Sequence, residues 1–118
     1  MKELVGIAKD IHSIIEEMTR ERQNISTVAQ NKAKAIGDYD KAIALTIVKL
    51  RNGISFEFDG QTIQNPPVTI IEKIAKGICS EKGVEADKQE ALYRATLSNL
   101  ATLQAQLNGL QSLLKYME

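Results

Sequence analysis

Residues 91–117, ALYRATLSNLATLQAQLNGLQSLLKYM, decide the fold. Leucines and other core-type residues recur there at alternating steps of three and four, the spacing of one face of an α-helix. Asp87 and Glu90 match a capping box ahead of this pattern. The sequence therefore predicts one long C-terminal helix over residues 86–117. The positions of its predicted core face are Leu92, Tyr93, Thr96, Leu97, Leu100, Leu103, Leu107, Leu110, Leu114 and Met117.

The outer side of this predicted helix carries almost no charge. A helix packed on a single neighbour usually covers its exposed half with charged residues. Here Ala, Ser, Thr, Asn and Gln occupy those positions, and they cost less to desolvate than ions. We interpret the helix as surrounded on several sides, hence a homo-oligomer; the alternative is an exposed helix of unusual composition. The predicted interface leucines are Leu100, Leu103, Leu107, Leu110 and Leu114.

The first half of the chain carries a second helical pattern. Apolar residues recur at helical spacing from Leu4 to Leu50 and predict a long helix over residues 1–52. Gly37 followed by Asp38 leaves two alternatives. We favour a continuous or kinked rod, and the other possibility is a break at which Asp38 caps a second helix.

Between the helices the hydrophobic period changes to strict alternation. Phe56 and Phe58 alternate with polar residues, and Asp59-Gly60 follows, a pair that readily supplies the positive φ angles of a type I′ turn. Residues 54–64 are therefore predicted to form a β-hairpin. Its predicted cross-strand pairs are Phe56 with Ile63 and Phe58 with Gln61.

A short helix is predicted to follow the hairpin. Thr69 and Glu72 match a second capping box, and Gly77 is placed to end a helix over residues 69–77. The most economical arrangement is one mainly α domain, residues 1–118. It is a long antiparallel helical hairpin with an inserted short β-hairpin and a short helix at the connection, and it assembles as a helical-bundle homo-oligomer.

Composition excludes several classes of function. With 118 residues the chain has room for one ordinary domain. Fifteen basic and fifteen acidic residues cancel, so no global field attracts nucleic acid, and direct nucleic-acid binding is not expected. The glycines form no phosphate-binding loop. One cysteine and one histidine leave disulfide frameworks and most metal sites without ligands.

Two side chains are candidates for catalysis by residue type, and neither has the partners in the sequence that catalysis needs. His12 is interpreted as a helix-surface residue, and Cys79 lacks a base nearby in the sequence. We therefore predict a protein that is not an enzyme and binds no cofactor or metal. Charged residues near Met1 argue against a signal peptide, and the many amides in residues 95–114 argue against a membrane span. A cytoplasmic protein without membrane contact is expected.

The candidate partner-binding residues are Phe56, Phe58 and Asp59, on the predicted β-hairpin. Two interpretations stay open: the phenylalanines cap the end of the helical pair, or they anchor a partner or ligand. A weaker candidate is a strip of basic residues, read as a solvated helix face or a weak phosphate contact. That strip consists of Arg20, Arg22, Lys32 and Lys34.

Several segments carry a family resemblance. They are Tyr39 with Ala42, residues 49–53 (KLRNG), residues 67–77 (PVTIIEKIAKG) and residues 107–112 (LNGLQS). On these, the chain resembles small helical proteins of unassigned function from temperate bacteriophages of Gram-positive bacteria, over most of residues 36–117. The hairpin around Ile54 to Ile63 is an insertion relative to that pattern. The resemblance implies a phage origin and the host cytoplasm, and it supplies no active residues.

Together these observations predict a non-catalytic phage-type interaction protein. Its expected action is to bind and block a host factor, such as a defence protein or nuclease, or to sequester a small signal. The alternative is an accessory of phage DNA recombination or replication that acts through a protein partner. The third possibility is an enzyme. Measurable turnover that is lost when Cys79 or His12 is replaced would support it.

Overall fold

The computed structural model describes the backbone of residues 2–117 and the side chains of residues 3–117. The chain is mainly helical, as predicted, with a short antiparallel β-hairpin between two long helices. A 3-10 turn, Val68–Ile70, precedes the second helix. The elements in chain order are α1 (Lys2–Arg51), β1 (Phe56–Phe58), β2 (Gln61–Ile63), α2 (Ile71–Ile78) and α3 (Ser80–Met117).

Helix α1 runs without a break through Gly37, so the continuous rod is confirmed and the cap at Asp38 is wrong. The helix ends beyond Arg51 in a Schellman motif. Gly53 takes a φ of +79°, and its N–H donates to Leu50 O at 3.2 Å while Ile54 N–H donates to Lys49 O at 3.0 Å. Glycine tolerates this left-handed conformation without steric cost, which explains why the chain turns here.

The β-hairpin has the predicted register. Phe56 lies opposite Ile63 and Phe58 opposite Gln61. Asp59 and Gly60 have φ angles of 53° and 78°, the two positive values that a type I′ turn requires.

The starts of the last two helices differ from the prediction. Helix α3 begins at Ser80 rather than near residue 86, so Asp87 lies inside the helix. Thr69 lies in the 3-10 turn, and no side-chain hydrogen bond caps α2. Both predicted capping boxes are therefore wrong.

Gly77 does not end the short helix, because α2 continues to Ile78 and only Cys79 separates it from α3. Cys79 N–H still donates to Ala75 O at 3.0 Å, and Gly83 N–H donates to Cys79 O at 3.2 Å. Since helical hydrogen bonds continue on both sides of this residue, the start of α3 has few free N–H groups for a cap to satisfy.

Contacts divide the chain into two compact units. The terminal unit contains the residues up to Gln30 and those from Ala91 onward, and the central unit contains Asn31–Glu90. Within the terminal unit the beginning of α1 packs antiparallel to the end of α3. Its core consists of Met18, Leu103 and Leu107, with Ile11, Ile14 and Leu100 packed against it.

The central unit has its own buried residues. Leu50, Ile71 and Ala75 are buried there. A buried hydrogen bond joins Thr46 Oγ1 and Cys79 Sγ at 3.4 Å. Across residues 2–117, no helix combines the length and the apolarity that a bilayer span requires.

Candidate interaction surfaces

The hairpin side chains differ in exposure. Phe58 is 38% exposed, and its ring packs on α2: a Cβ added to Gly77 would lie 3.3 Å from Phe58 Cζ. Phe56 is half-buried, and Asp59 is exposed in the turn. Phe58 thus fastens the hairpin to α2 through part of its ring and leaves the rest open to solvent.

Exposed apolar residues flank the hairpin in the chain, and sequence reasoning missed them as surface residues. Val68 is 74% exposed, and Ile54 and Ile70 are also exposed. No sequence signal identifies Val68 as a surface residue: it directly follows Pro66-Pro67 and begins the 3-10 turn before α2, and that position does not fix its exposure. This part of the central unit offers apolar surface beyond the hairpin itself.

The five predicted interface leucines face inward to different extents. Leu103 and Leu107 are buried against Met18 of the same chain, and Leu100 packs beside them. Leu110 and Leu114 are half-buried. The burial of Leu103 and Leu107 is therefore already achieved within one chain, and a contact between copies has to use other side chains of α3.

The exposed side of α3 in the terminal unit supplies such side chains. No charged residue occurs between Ala95 and Leu114, although most of these residues are exposed. Leu97 and Leu113 are 42% and 47% exposed. One stripe, which we call the small-residue face, contains only small exposed residues at steps of four and three. It consists of Ala91, Ala95, Ser98, Thr102, Ala105, Gly109 and Ser112.

A groove lies between α1 and α3 in the terminal unit, next to the small-residue face. It has a volume of about 500 Å³. Because a Cβ added to Gly109 would meet nothing within 4 Å, the glycine leaves this side of α3 open. The lining of this terminal groove is mostly apolar, and its residues are Asp10, Ser13 and Ile14 of α1 with Gln106, Gly109, Leu110 and Leu113 of α3.

The central unit contains a smaller cleft of about 220 Å³, lined in part by the charged residues Lys34, Asp38, Lys82 and Glu85. Lys34 Nζ lies 3.0 Å from Asp38 Oδ2. The hydrogen bond and the positive charge of Lys34 lower the pKa of the Asp38 carboxyl below its ordinary value, and Lys82 adds to the effect. Charges of both signs line this cleft, so it has no strong preference for an anion or a cation.

The residues considered for chemistry lie apart. His12 is exposed, with Nε2 2.9 Å from Glu16 Oε1, whereas Cys79 is buried beside Thr46. No three His, Cys, Asp or Glu side chains of the described residues are grouped to hold a metal ion.

The predicted basic strip is not one uniform surface. Arg20 and Arg22 are exposed, and Lys32 is half-buried. Lys34 is paired with Asp38. The basic side chains of α1 therefore have different environments, which agrees with a solvated helix face better than with a phosphate-binding strip.

Comparison with protein-family models, curated proteins and solved structures finds no match to this chain. The class of protein that the fold defines is a mainly helical chain with an inserted β-hairpin. The features of this fold that bear on function are two exposed surfaces, the charge-free side of α3 and the hairpin.

Proposed function

We propose that the protein is a non-catalytic interaction protein that self-associates through α3 and binds a second macromolecule through its hairpin region, thereby blocking that macromolecule. The observation that carries the proposal is the exposed side of α3 between Ala95 and Leu114, which has no charge and includes Leu97 and Leu113. Burial of such a surface against another molecule is favoured by the hydrophobic effect. Its desolvation costs less free energy than the desolvation of charged side chains.

The hairpin region supports the second half of the proposal. Half-exposed aromatic side chains such as Phe58 anchor many protein interfaces. The exposed Val68 and Ile54 add apolar area in the adjoining segments. The phage resemblance makes a host protein, such as a defence protein or nuclease, the partner that we propose.

Light scattering tests the self-association directly. The protein should elute with a mass of at least twice 13.0 kDa. Ala105→Lys, in the small-residue face, should shift it toward a monomer, because the lysine charge would have to be desolvated. Ala8→Lys places the same charge on an exposed position of α1 and should leave the mass unchanged. A wild-type monomer at high micromolar concentration would refute this half of the proposal.

Affinity capture with matched variants tests the partner half. The wild type should retain a specific partner, and Phe58→Ala should lose it. Val84→Ala is the control, because it truncates an exposed apolar side chain outside the hairpin, and it should retain the partner. Light scattering of Phe58→Ala should still show the wild-type mass, because Phe58 lies outside α3. If no protein depends on Phe58 in this comparison, the hairpin is not a partner-binding surface.

A further inference from the structure

Three of the seven glycines directly follow an asparagine or an aspartate. In such a pair the backbone nitrogen of the glycine can attack Cγ of the preceding side chain, because glycine has no side chain that hinders the attack. The pairs are Asn52-Gly53, Asp59-Gly60 and Asn108-Gly109. Asn52, Asp59 and Asn108 are all exposed, so access to solvent does not distinguish the three pairs.

The pair in α3 is held by the helix. Gly109 lies well inside Ser80–Met117, where each backbone N–H donates to the carbonyl four residues earlier. Asn108 Oδ1 also accepts a hydrogen bond from Gln104 Nε2 at 2.9 Å. Attack by Gly109 N requires this turn of α3 to open, because the nitrogen has to leave its helical hydrogen bond and rotate toward the Asn108 side chain.

The pair after α1 is held by the Schellman motif. Gly53 N–H donates to Leu50 O at 3.2 Å, and Gly53 O accepts a hydrogen bond from Gln64 Nε2 at 3.2 Å. The peptide groups on both sides of Gly53 are therefore fixed. Rotation of the peptide that joins Asn52 to Gly53 breaks the hydrogen bond that ends the helix.

The pair in the hairpin turn has no such restraint. In a type I′ turn the hydrogen bond joins the residues on either side of the two central ones, here Phe58 and Gln61. Among the backbone hydrogen bonds of turns and caps in residues 2–117, none has Gly60 N–H as its donor. A Cβ added to Gly60 would meet nothing within 4 Å. The attacking nitrogen is thus free of the bonds that hold the other two pairs.

The central peptide of this turn can also rotate while the strands stay paired. Type I′ and type II′ turns share a positive φ at the first central residue and differ in its ψ, which is about +30° in type I′ and about −120° in type II′. Asp59 has a φ of 53°, which suits both types. At the type II′ value the Cβ of an L-residue eclipses the next backbone nitrogen, so Gly60 N then faces the Asp59 side chain as ring closure requires.

We infer that Asp59-Gly60 is a spontaneous modification site, at which the folded protein forms a succinimide and then isoaspartate. Gly60 N bonds to Asp59 Cγ; the nitrogen loses a proton and the protonated carboxyl loses hydroxide, and the two leave as water. A water molecule then opens the ring. Attack at Cγ restores aspartate, whereas attack at the backbone carbonyl carbon of Asp59 leaves the chain running through Cβ and Cγ as isoaspartate.

Isoaspartate lengthens the backbone of the turn by one carbon atom. Loop length fixes the register of a hairpin, so the longer loop no longer matches the pairing of Phe58 with Gln61. The modification therefore changes the tip of the hairpin and leaves the long helices as they are. This inference does not depend on the proposed function.

The variant Asp59→Asn makes the three pairs chemically identical. Asn-Gly also suits a type I′ turn, so the hairpin is retained, and structure alone then decides which pair loses ammonia first. In the folded variant, position 59 should deamidate at least tenfold faster than Asn52 and Asn108, measured by peptide mapping with mass spectrometry. In guanidinium chloride the three rates should agree to within about threefold. If Asn52 or Asn108 reacts as fast as position 59 in the folded variant, the inference is wrong.

Wild type tests the aspartate itself. During incubation in ¹⁸O-labelled water, every ring opening adds one labelled oxygen to Asp59, whether the product is aspartate or isoaspartate. Folding should slow this labelling less than about fivefold relative to guanidinium chloride, whereas it should slow the deamidation of Asn108 at least tenfold. Slowing at Asp59 as great as at Asn108 would overturn the inference.

Discussion

The ring of Tyr39 lies directly on Gly83 in the central unit. A Cβ added to Gly83 would lie 3.0 Å from Cζ of Tyr39 and 3.2 Å from its Cε1 and Oη, closer than nearly all real Cβ contacts. The absence of a side chain at this position of α3 is therefore what lets α1 carry a tyrosine against it. Gly37 of α1 shows the opposite situation, because a Cβ there would meet nothing within 4 Å.

Relative to Gly37→Ala, Gly83→Ala should lower the free energy of unfolding by about 1–3 kcal/mol, because both variants gain the helix propensity of alanine but the added methyl group at position 83 overpacks the contact with Tyr39. Gly37→Ala is the matched control. It should raise the free energy of unfolding by about 0.5–1 kcal/mol, because alanine is the better helix former and the site is open. Urea denaturation followed by circular dichroism measures both. If the two variants have the same stability, the contact between Tyr39 and Gly83 is absent in solution.

Leucines of α3 should differ sharply in their effect on stability. Leu103 is 4% exposed in the terminal core, so Leu103→Ala should cost about 2–5 kcal/mol through lost burial and a residual cavity. Leu113 is half-exposed, and Leu113→Ala should cost less than about 1 kcal/mol within one chain. Denaturation at several low protein concentrations separates this effect from self-association. Similar losses for both variants would contradict the described core.

The thiol of Cys79 should react slowly in the folded protein. It is 8% exposed and hydrogen-bonded to Thr46, and a thiol shielded from solvent reacts poorly with external reagents. Alkylation with iodoacetamide, followed by mass spectrometry, should be at least a hundredfold slower in buffer than in denaturing urea. Labelling at the same rate in both would show that α2 and α3 separate readily at this residue.

Asp38 should titrate below its ordinary pKa because Lys34 donates a hydrogen bond to its carboxylate and carries a positive charge. A lowered folded-state pKa stabilises the fold above the unfolded-state value, and this contribution disappears as the pH falls through the folded-state pKa. Lys34→Gln should raise the pKa of Asp38 in a carbon NMR titration. Lys49→Gln, which removes a lysine outside this cluster, should not. An unchanged Asp38 titration in Lys34→Gln would contradict the ion pair.

The hairpin was predictable because local chemistry specifies it. Asp59-Gly60 supplies both positive φ angles, and the alternation of Phe56 and Phe58 sets the register. The long helices were also predictable from their apolar period. The sequence left open whether α1 continues through Gly37. A glycine inside a helix costs only about 1 kcal/mol, and contacts elsewhere along the helix can offset that cost.

The errors at the later helix starts have a different cause. The residues at Thr69 and Asp87 match capping boxes, yet a cap matters only where N–H groups are free. Around Cys79 helical hydrogen bonds are present on both sides, for example from Cys79 N–H to Ala75 O. The sequence pattern contains no sign of that continuity.

The candidate surfaces were predictable only in part. Residue types identified the charge-free character of α3, but apolar spacing placed Leu92 and Leu97 on the core face, whereas both are exposed. Which side of α3 meets α1 depends on contacts with Met18, far away in the sequence. The groove beside Gly109 arises from that choice of side, so no local pattern could reveal it.

The hairpin turn also makes this protein convenient to engineer. Asp59 and Gly60 are exposed at the tip. Two contacts attach the hairpin to the rest of the central unit: Phe58, the last residue of β1, packs on Gly77, and Gln64 Nε2, just after β2, donates to Gly53 O at 3.2 Å. An epitope or a fluorophore-binding peptide could be spliced between the two turn residues without disturbing the packing of the helices. Because the turn is exposed, a change of length at this tip alters what the hairpin presents to solvent and leaves the helical scaffold as it is.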